Sequence, residues 1–439
     1  MIFVLLLAVV HADVTGYVSD RLQGTGVRTD TSLPTRDLPK WQNLLELNAQ
    51  IKKTLGSDLH FAYADLSLFS QQGGGYITDD GAGPHSVPDH NVAALHPFAV
   101  PSELYISSTP DEHLNLLFGR KRIVWGSGLA WNPADVLNPA KDPTDPTLQR
   151  AGAWMARAES VFEDFTITAL VAPQVTEQVS GLPTHFLAYP SWDAQDGHAH
   201  FLAAARLYAL WNQTDINLVY YFTNNFNDDI QHRSRVALSF SRYFFTDYEL
   251  HAEALLARGS TRLYPCDNLF ACAAPFGEFK RDDGALYPRV LLGTRTLFSD
   301  ESQLSIEYLY QADGFKRSEM ATLLSLLKRA HDNQISIANM SGDSSAAPQK
   351  FSFTPLRRHY AFISFQRPKI ADDWTASAFL LADLEDFSGL ATLSLAWSAT
   401  EWLTLTAVDF IPFPGKDRVS EGSLLPFDNR VLFEARVFY

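Results

Sequence analysis

The feature that most constrains this chain is a period-two alternation of apolar and polar residues recurring along almost its whole length. In Trp41 to Leu55, the residues Leu45, Leu47, Ala49 and Ile51 oppose Glu46, Asn48, Gln50 and Lys52. In Gln303 to Gln311, Leu304, Ile306, Tyr308 and Tyr310 oppose Ser305 and Glu307. Successive side chains of a strand point to opposite faces, so each such segment reads as a strand with one apolar and one polar side. About 18 segments read this way. They begin near Val14, Trp41, Leu59, Glu103, His113, Trp154, Phe165, His198, Ile216, Arg233, Tyr248, Tyr287, Gln303, Arg357, Trp374, Leu390, Glu401 and Asn429.

The connections between these segments sort by length. Short turns at 56–58, 109–112, 162–164, 212–215, 245–247 and 299–302 follow the even strands, whereas the long loops 72–102, 129–153, 173–197, 260–286 and 314–356 follow odd ones. A soluble sandwich has no reason to sort its connections in this way. A closed transmembrane barrel does, because each rim gathers every second connection. The expected fold is therefore all-β: one transmembrane antiparallel β-barrel of about 18 strands spanning 13–439, with long extracellular loops and short periplasmic turns.

Composition agrees with that reading once the barrel wall is considered. Hydrophobic residues make up 46% of the chain, an ordinary value, because a barrel wall gives alternate residues to lipid and to water. The longest apolar run, Ile2 to Val10, is far shorter than the roughly 20 residues a membrane helix needs. Thirty-five Lys and Arg against fifty Asp and Glu leave a net charge of -15, which excludes nucleic acid as an expected partner. Aromatic residues reach 13%, and Trp41, Trp211, Trp374, Trp397 and Trp402 fall at strand ends, where interfacial girdles sit.

The two ends carry separate signals. Residues 1–12 read as a secretory signal peptide, with the small-x-small sequence Val10-His11-Ala12 as the cleavage site, although no Lys or Arg precedes the apolar run. At the other end, Asn429, Val431, Phe433, Ala435, Val437 and Tyr439 alternate with Arg430, Leu432, Glu434, Arg436 and Phe438. This segment resembles the aromatic-terminated last strand of bacterial outer-membrane barrels. The resemblance implies the outer membrane and its lipid as surroundings, and the barrel assembly machinery as a partner during biogenesis.

Two interior segments depart from the alternation. In the 314–356 loop, Met320, Leu323, Leu324 and Leu327 fall on one face of a helix that Ser318 is placed to cap. That face needs cover, either by constricting the barrel mouth or by packing across neighbouring loops. The second segment runs Gly119-Arg120-Lys121-Arg122-Ile123-Val124-Trp125-Gly126 and continues through Trp131-Asn132-Pro133-Ala134-Asp135-Val136-Leu137-Asn138-Pro139. Together with Ile306-Glu307-Tyr308-Leu309-Tyr310 and Gly314, it resembles a signature of Gram-negative outer-membrane β-barrel porins, similar in style to the alginate-export-type barrels. The resemblance implies the architecture and says little about cargo. Prolines prevent 132–139 from forming a regular element, leaving an inward-folded loop or an exterior one. By alternation, Arg120 and Arg122 share one face, which in a membrane barrel is the lumen side.

The polar face collects Glu46, Gln50, Lys52, Asp65, Arg157, Glu159, Arg206, Arg235, Glu249, His251, Glu253, Arg289, Arg295, Glu307, Asp383, Arg430, Glu434 and Arg436. Such a wall suits a water-filled lumen whose charges pair across strands. The pore-lining candidates are Arg120, Arg122, Arg157, Glu159, Arg235, Glu249, Glu253, Arg289, Arg295, Glu307, Arg430, Glu434 and Arg436. A plugged barrel with the same filling is the alternative.

Other chemistry is sparse. Asp193, Asp196, His198 and His200 offer metal-ligand types at a loop-strand junction, with a solvated loop as the alternative, and Asn224 to Asp229 lack the calcium-loop spacing. Cys266 and Cys272 are a disulfide candidate within one long loop of an exported chain. The sequence has no nucleophile elbow, Walker loop, dinucleotide glycine motif or zinc-protease helix, so neither an enzyme nor a cofactor is expected. The expectation is an outer-membrane, porin-like channel for passive diffusion of a small hydrophilic solute or saccharide. Its rivals are an outer-membrane enzyme acting on lipid or surface polymer, and a structural or export component for a surface polysaccharide.

Overall fold

The computed structural model describes residues 13–27, 40–74, 77–79, 84–86, 98–138, 141, 152–173, 201–224, 234–260, 264–265, 285–331, 355–416, 419–425 and 427–439. The signal-peptide segment 1–12, the disulfide candidate Cys266 and Cys272, Asp193, Asp196, His198, His200 and the 225–229 segment lie outside these residues.

Chain order is β1 (Asp13–Val27), β2 (Trp41–Leu55), β3 (Ser57–Gly74), β4 (Ile77–Asp79), β5 (Pro84–Ser86), β6 (Phe98–Asp111), β7 (Leu114–Lys121), β8 (Ala153–Val161), β9 (Phe165–Pro173) and β10 (Phe201–Trp211). It continues through β11 (Thr214–Thr223), β12 (Ser234–Phe244), β13 (Tyr248–Arg258), β14 (Leu286–Leu297), β15 (Gln303–Gln311), helix α1 (Arg317–His331), β16 (His359–Ile370), β17 (Trp374–Asp383), β18 (Gly389–Thr400), β19 (Leu403–Phe413) and β20 (Phe427–Phe438). Strands β4 and β5 pair only with each other. The other 18 strands form one antiparallel sheet that closes on itself, because β1 pairs with both β2 and β20. Closure removes the free edges that an open sheet of this size would carry.

The seam is finished by the last residue. Tyr439 exchanges backbone hydrogen bonds with Gly16 at 3.1 and 3.2 Å, and its hydroxyl donates to the Asn48 carbonyl at 2.8 Å. Connections at one rim are tight: Gly56 alone links β2 to β3, 212–213 link β10 to β11, and 371–373 link β16 to β17. In the 298–302 turn, Asp300 accepts hydrogen bonds from the Ser302 hydroxyl and backbone, which hold its carboxyl below the usual carboxylate range.

Alternation separates the two sides of the wall. On β13, Glu249, His251, Glu253 and Leu255 are buried toward the interior, whereas Leu250 and Leu256 face outward. The outer side of β7 to β15 carries Phe118, Ile167, Val171, Leu218, Leu238, Leu292 and Ile306, all exposed. Trp374 and Trp397 stack at 5.5 Å with parallel rings where the β17 and β18 ends meet. Two carboxylates interrupt the outer apolar surface near the seam. Asp20 accepts from Asn43 at 2.5 Å, and Asp409 lies between Ala407 and Ile411 on β19 and between Leu393 and Val431 across the ladder.

Helix α1 begins two residues earlier than a Ser318 cap requires. The cap is instead Glu319, whose carboxylate accepts the Lys316 backbone N–H at 2.7 Å, while Ser318 accepts the Thr322 hydroxyl through its carbonyl. Met320 and Leu323 are fully buried with Phe315, Leu356 and Leu424, and Tyr264, Leu324 and Val419 pack around them. The apolar stripe thus finds its cover among neighbouring connections, and Leu326 is buried as well. The side chain of Leu327 lies outside the described residues.

Candidate pore constriction

Strand β7 ends at Lys121, and the chain then leaves the wall and crosses its interior through 122–138. This segment has no regular secondary structure, so its backbone N–H groups lack ladder partners and burial requires acceptors from elsewhere. Two wall glutamates supply them. Glu253 of β13 accepts the backbone N–H groups of Ser127 and Gly128, both at 2.7 Å, and of Ala134 at 3.0 Å. Glu307 of β15 accepts those of Leu129 and Ala130, the latter at 2.9 Å. Both carboxylates are almost wholly buried, and five charge-assisted bonds offset the cost of their desolvation.

Gly126 is required at the turn into this grip. Its φ of +118° is one that side-chain-bearing residues rarely adopt, and an added Cβ would overlap the Glu253 carboxylate. Apolar contacts complete the seating. Ile123, Trp125 and Ala134 bury against Leu170, Leu202, Val219 and Tyr221, and Trp131 against Leu291, Tyr360 and Phe362. The Tyr221 hydroxyl donates to the Ala134 carbonyl at 2.6 Å, and Lys141 donates to the carbonyls of Gly128 and Leu129. Asn138 closes the excursion by donating to the carbonyl of Ile123.

Several of the remaining interior charges form local pairs. Glu249 is held by Arg295 at 3.1 Å and by the Ser241 hydroxyl at 2.9 Å, and Arg289 pairs with Asp313 at 2.8 Å. Glu434 bridges Arg21 at 3.0 Å and Arg436 at 2.8 Å, with the Arg436 guanidinium over the Tyr17 ring. Arg157 donates to Asn115 at 2.8 Å and lies 3.8 Å from Glu159, which accepts from Thr168. Arg206 donates to Asn217 and faces the Trp125 ring at 5.8 Å. Arg430 stacks over Phe427, and Arg235, between Tyr221 and Ala257 in register, has no carboxylate partner among the described residues.

Two candidates sit differently from the sequence expectation. Arg120 and Arg122 do not share a strand face, because β7 stops between them. Arg120 is in register with Leu104 and Trp154 and is fully buried, with Nε donating to the Gly152 carbonyl at 2.8 Å. Arg122 belongs to the inward segment, where its backbone N–H donates to Glu103 at 2.8 Å. The interior position at the end of β7 belongs to Lys121, which donates to the Tyr105 hydroxyl and lies over that ring. Alternation fails here because it is a property of strands and the strand has ended.

Comparison with solved structures finds the same architecture among outer-membrane porins. OccK7 of Pseudomonas aeruginosa matches with a TM-score of 0.52 at 8% identity, covering 98% of this chain and 99% of that one. OccAB1 of Acinetobacter baumannii matches with a TM-score of 0.54 at 10% identity, covering 97% and 96%. A porin variant from Rhodopseudomonas blastica covers 98% of this chain and 100% of its own at 10% identity, with a TM-score of 0.43. At such identities the likeness establishes the fold, a closed 18-strand antiparallel barrel of the porin type. No family model matches the chain, and no curated protein matches it in sequence.

Proposed function

We propose that this barrel is an outer-membrane channel for passive diffusion of a small hydrophilic solute, with the 122–138 segment as its constriction. The carrying observation is the grip of Glu253 and Glu307 on five backbone amides of that segment. A barrel needs no such grip for wall stability, since β13 and β15 are already laddered on both sides. What the grip does is hold chain inside the lumen and narrow it.

The exposed apolar outer face of β7 to β15 supports a lipid setting, and the tryptophans at strand ends suit its interfaces. Strand β20 closes the wall against β1 and β19, an architecture suited to insertion by the barrel assembly machinery. Inside, among the described residues, several cations pair with carboxylates while Arg235 does not, so the paired groups add little fixed field and selection rests on size and hydrogen bonding at the constriction together with that arginine. The interior-facing candidates Arg157, Glu159, Arg235, Arg289, Arg295, Arg430, Glu434 and Arg436 act in this reading as the polar wall of the solute path. Glu253 and Glu307 act as supports for the constriction, and Glu249 pairs with Arg295 on the neighbouring strand of the wall.

Planar-bilayer recording of the refolded protein tests the proposal. The expected result is stepwise, ohmic conductance that candidate solutes reduce in a concentration-dependent manner. Absence of conductance at every voltage, with a folded barrel confirmed by circular dichroism, overturns it.

A further inference from the structure

We propose that His251 is a pH-sensitive latch on the constriction, joining Glu307 to Glu249 only while its imidazole carries both protons. The proposal rests on the channel reading above, because it assigns a control to the same constriction. The His251 side chain is completely buried, with Nε2 3.2 Å from Glu307 Oε1 and Nδ1 3.6 Å from Glu249 Oε1. A carboxylate therefore faces each ring nitrogen. A neutral imidazole has one N–H and one lone pair, so one nitrogen would direct a lone pair at a carboxylate; an imidazolium offers an N–H to both.

The wall is shaped for this arrangement. Gly293 of β14 stands opposite His251 in register, and a Cβ at that position would overlap the imidazole. The ring thus crosses over β14 and ties β13 to β15. Glu307 is also the acceptor for Leu129 and Ala130, so the latch acts on the constriction through one shared carboxylate. His251 is a positioning residue in this account.

Among the described residues, charged and titratable groups surround the ring from four elements and the inward segment. Strand β13 contributes Glu249 and Glu253, β14 contributes Arg295, β15 contributes Glu307, and Tyr243 of β12 reaches Glu249. Lys141 sits on the constriction beside the Glu253 grip. Among the described residues the groups in direct contact are Glu249 and Glu307, two negative charges, and Arg295, one positive, so the imidazolium brings this set to balance. Loss of that proton leaves a net negative charge in a buried site and sets Glu249 against Glu307. The cluster then relaxes by letting Glu307, and the amides it holds, move.

Single-channel recording of the full refolded chain at constant salt tests this over about pH 5 to 8, the range in which an imidazole changes charge. Wild type is expected to show a steady low conductance at the acid end and a severalfold larger, noisier conductance at the basic end. His251→Gln is expected to lose the pH response and to stay at the high level. Glu249→Gln leaves only Glu307 to satisfy, which a neutral imidazole does, so it is expected to lose the response and stay at the low level. If His251→Gln fails to assemble, as judged by heat-modifiable gel mobility, Glu249→Gln carries the test. A conducting wild type with no pH response, or a response unchanged in the variants, overturns the latch and leaves the channel reading intact. A folded wild type that never conducts overturns the channel reading itself.

Discussion

Among the described residues, helix α1 and the 122–138 segment both leave the strands of this barrel, and they settle their backbone polar groups in opposite ways. Helix α1 satisfies its amides internally, so its needs are apolar: Met320 and Leu323 are fully buried against Phe315, Leu356 and Leu424 of neighbouring connections. The 122–138 segment is irregular, so its amides need acceptors, and it goes where two wall carboxylates supply them. The contrast teaches that an amphipathic helix packs by its apolar stripe wherever apolar cover exists. An extended chain is placed by hydrogen-bond acceptors, and in this barrel those acceptors point into the lumen.

The sharpest way to break the comparison is to disturb the amide grip alone. Gly126→Val forces a β-branched residue into a φ of +118° and drives its Cβ into Glu253, so the segment should be displaced and single-channel conductance should rise severalfold. Helix α1 should respond in the other currency. Met320→Ala or Leu323→Ala should destabilise its rim cluster by about 2–5 kcal/mol, seen as earlier proteolysis of the 314–356 connection, with single-channel conductance unchanged. Equal effects on conductance from both excursions would erase the distinction. Arg235→Glu should move the reversal potential in a salt gradient toward cations, because no carboxylate among the described residues offsets Arg235, and an unmoved potential would remove it from the solute path.

The smallest effect concerns the outer wall rather than the excursions. One oxygen of Asp409 is buried without a hydrogen-bond partner in a groove of about 430 Å³ lined by Phe365, Ala376, Ala378, Leu393, Leu395 and Phe433. Asp409→Leu should raise barrel stability in lipid vesicles by about 1 kcal/mol, read from urea unfolding.

Much of this was legible in the sequence, and the reason is physical. A barrel wall must expose one side and bury the other at every second residue, so Trp41 to Leu55 and Gln303 to Gln311 announce themselves locally, and 18 strand starts follow from the same rule. The helix stripe was legible for the same reason, at a different period. What alternation could not show is what a polar residue does once inside. Glu253 and Glu307 look like pore charges in sequence, and only three-dimensional proximity to amides 119 to 178 residues away reveals them as supports. A two-residue period cannot relate Arg120 to Arg122, because β7 ends at Lys121 between them. A signal for the inward segment does exist in Trp125-Gly126-Ser127-Gly128-Leu129-Ala130-Trp131: small residues that expose amides, flanked by aromatics that need burial. Its destination depends on β13 and β15, far away in the chain.

The most direct test of the account compares single-channel conductance in the wild type with that of Glu253→Gln combined with Glu307→Gln, both verified as folded barrels. Gln keeps the size of the side chain and removes the charge that makes each acceptor strong. The account predicts a severalfold larger conductance in the double variant, because the constriction is released from the wall. A double variant with wild-type conductance would show that the segment these glutamates hold does not narrow the path.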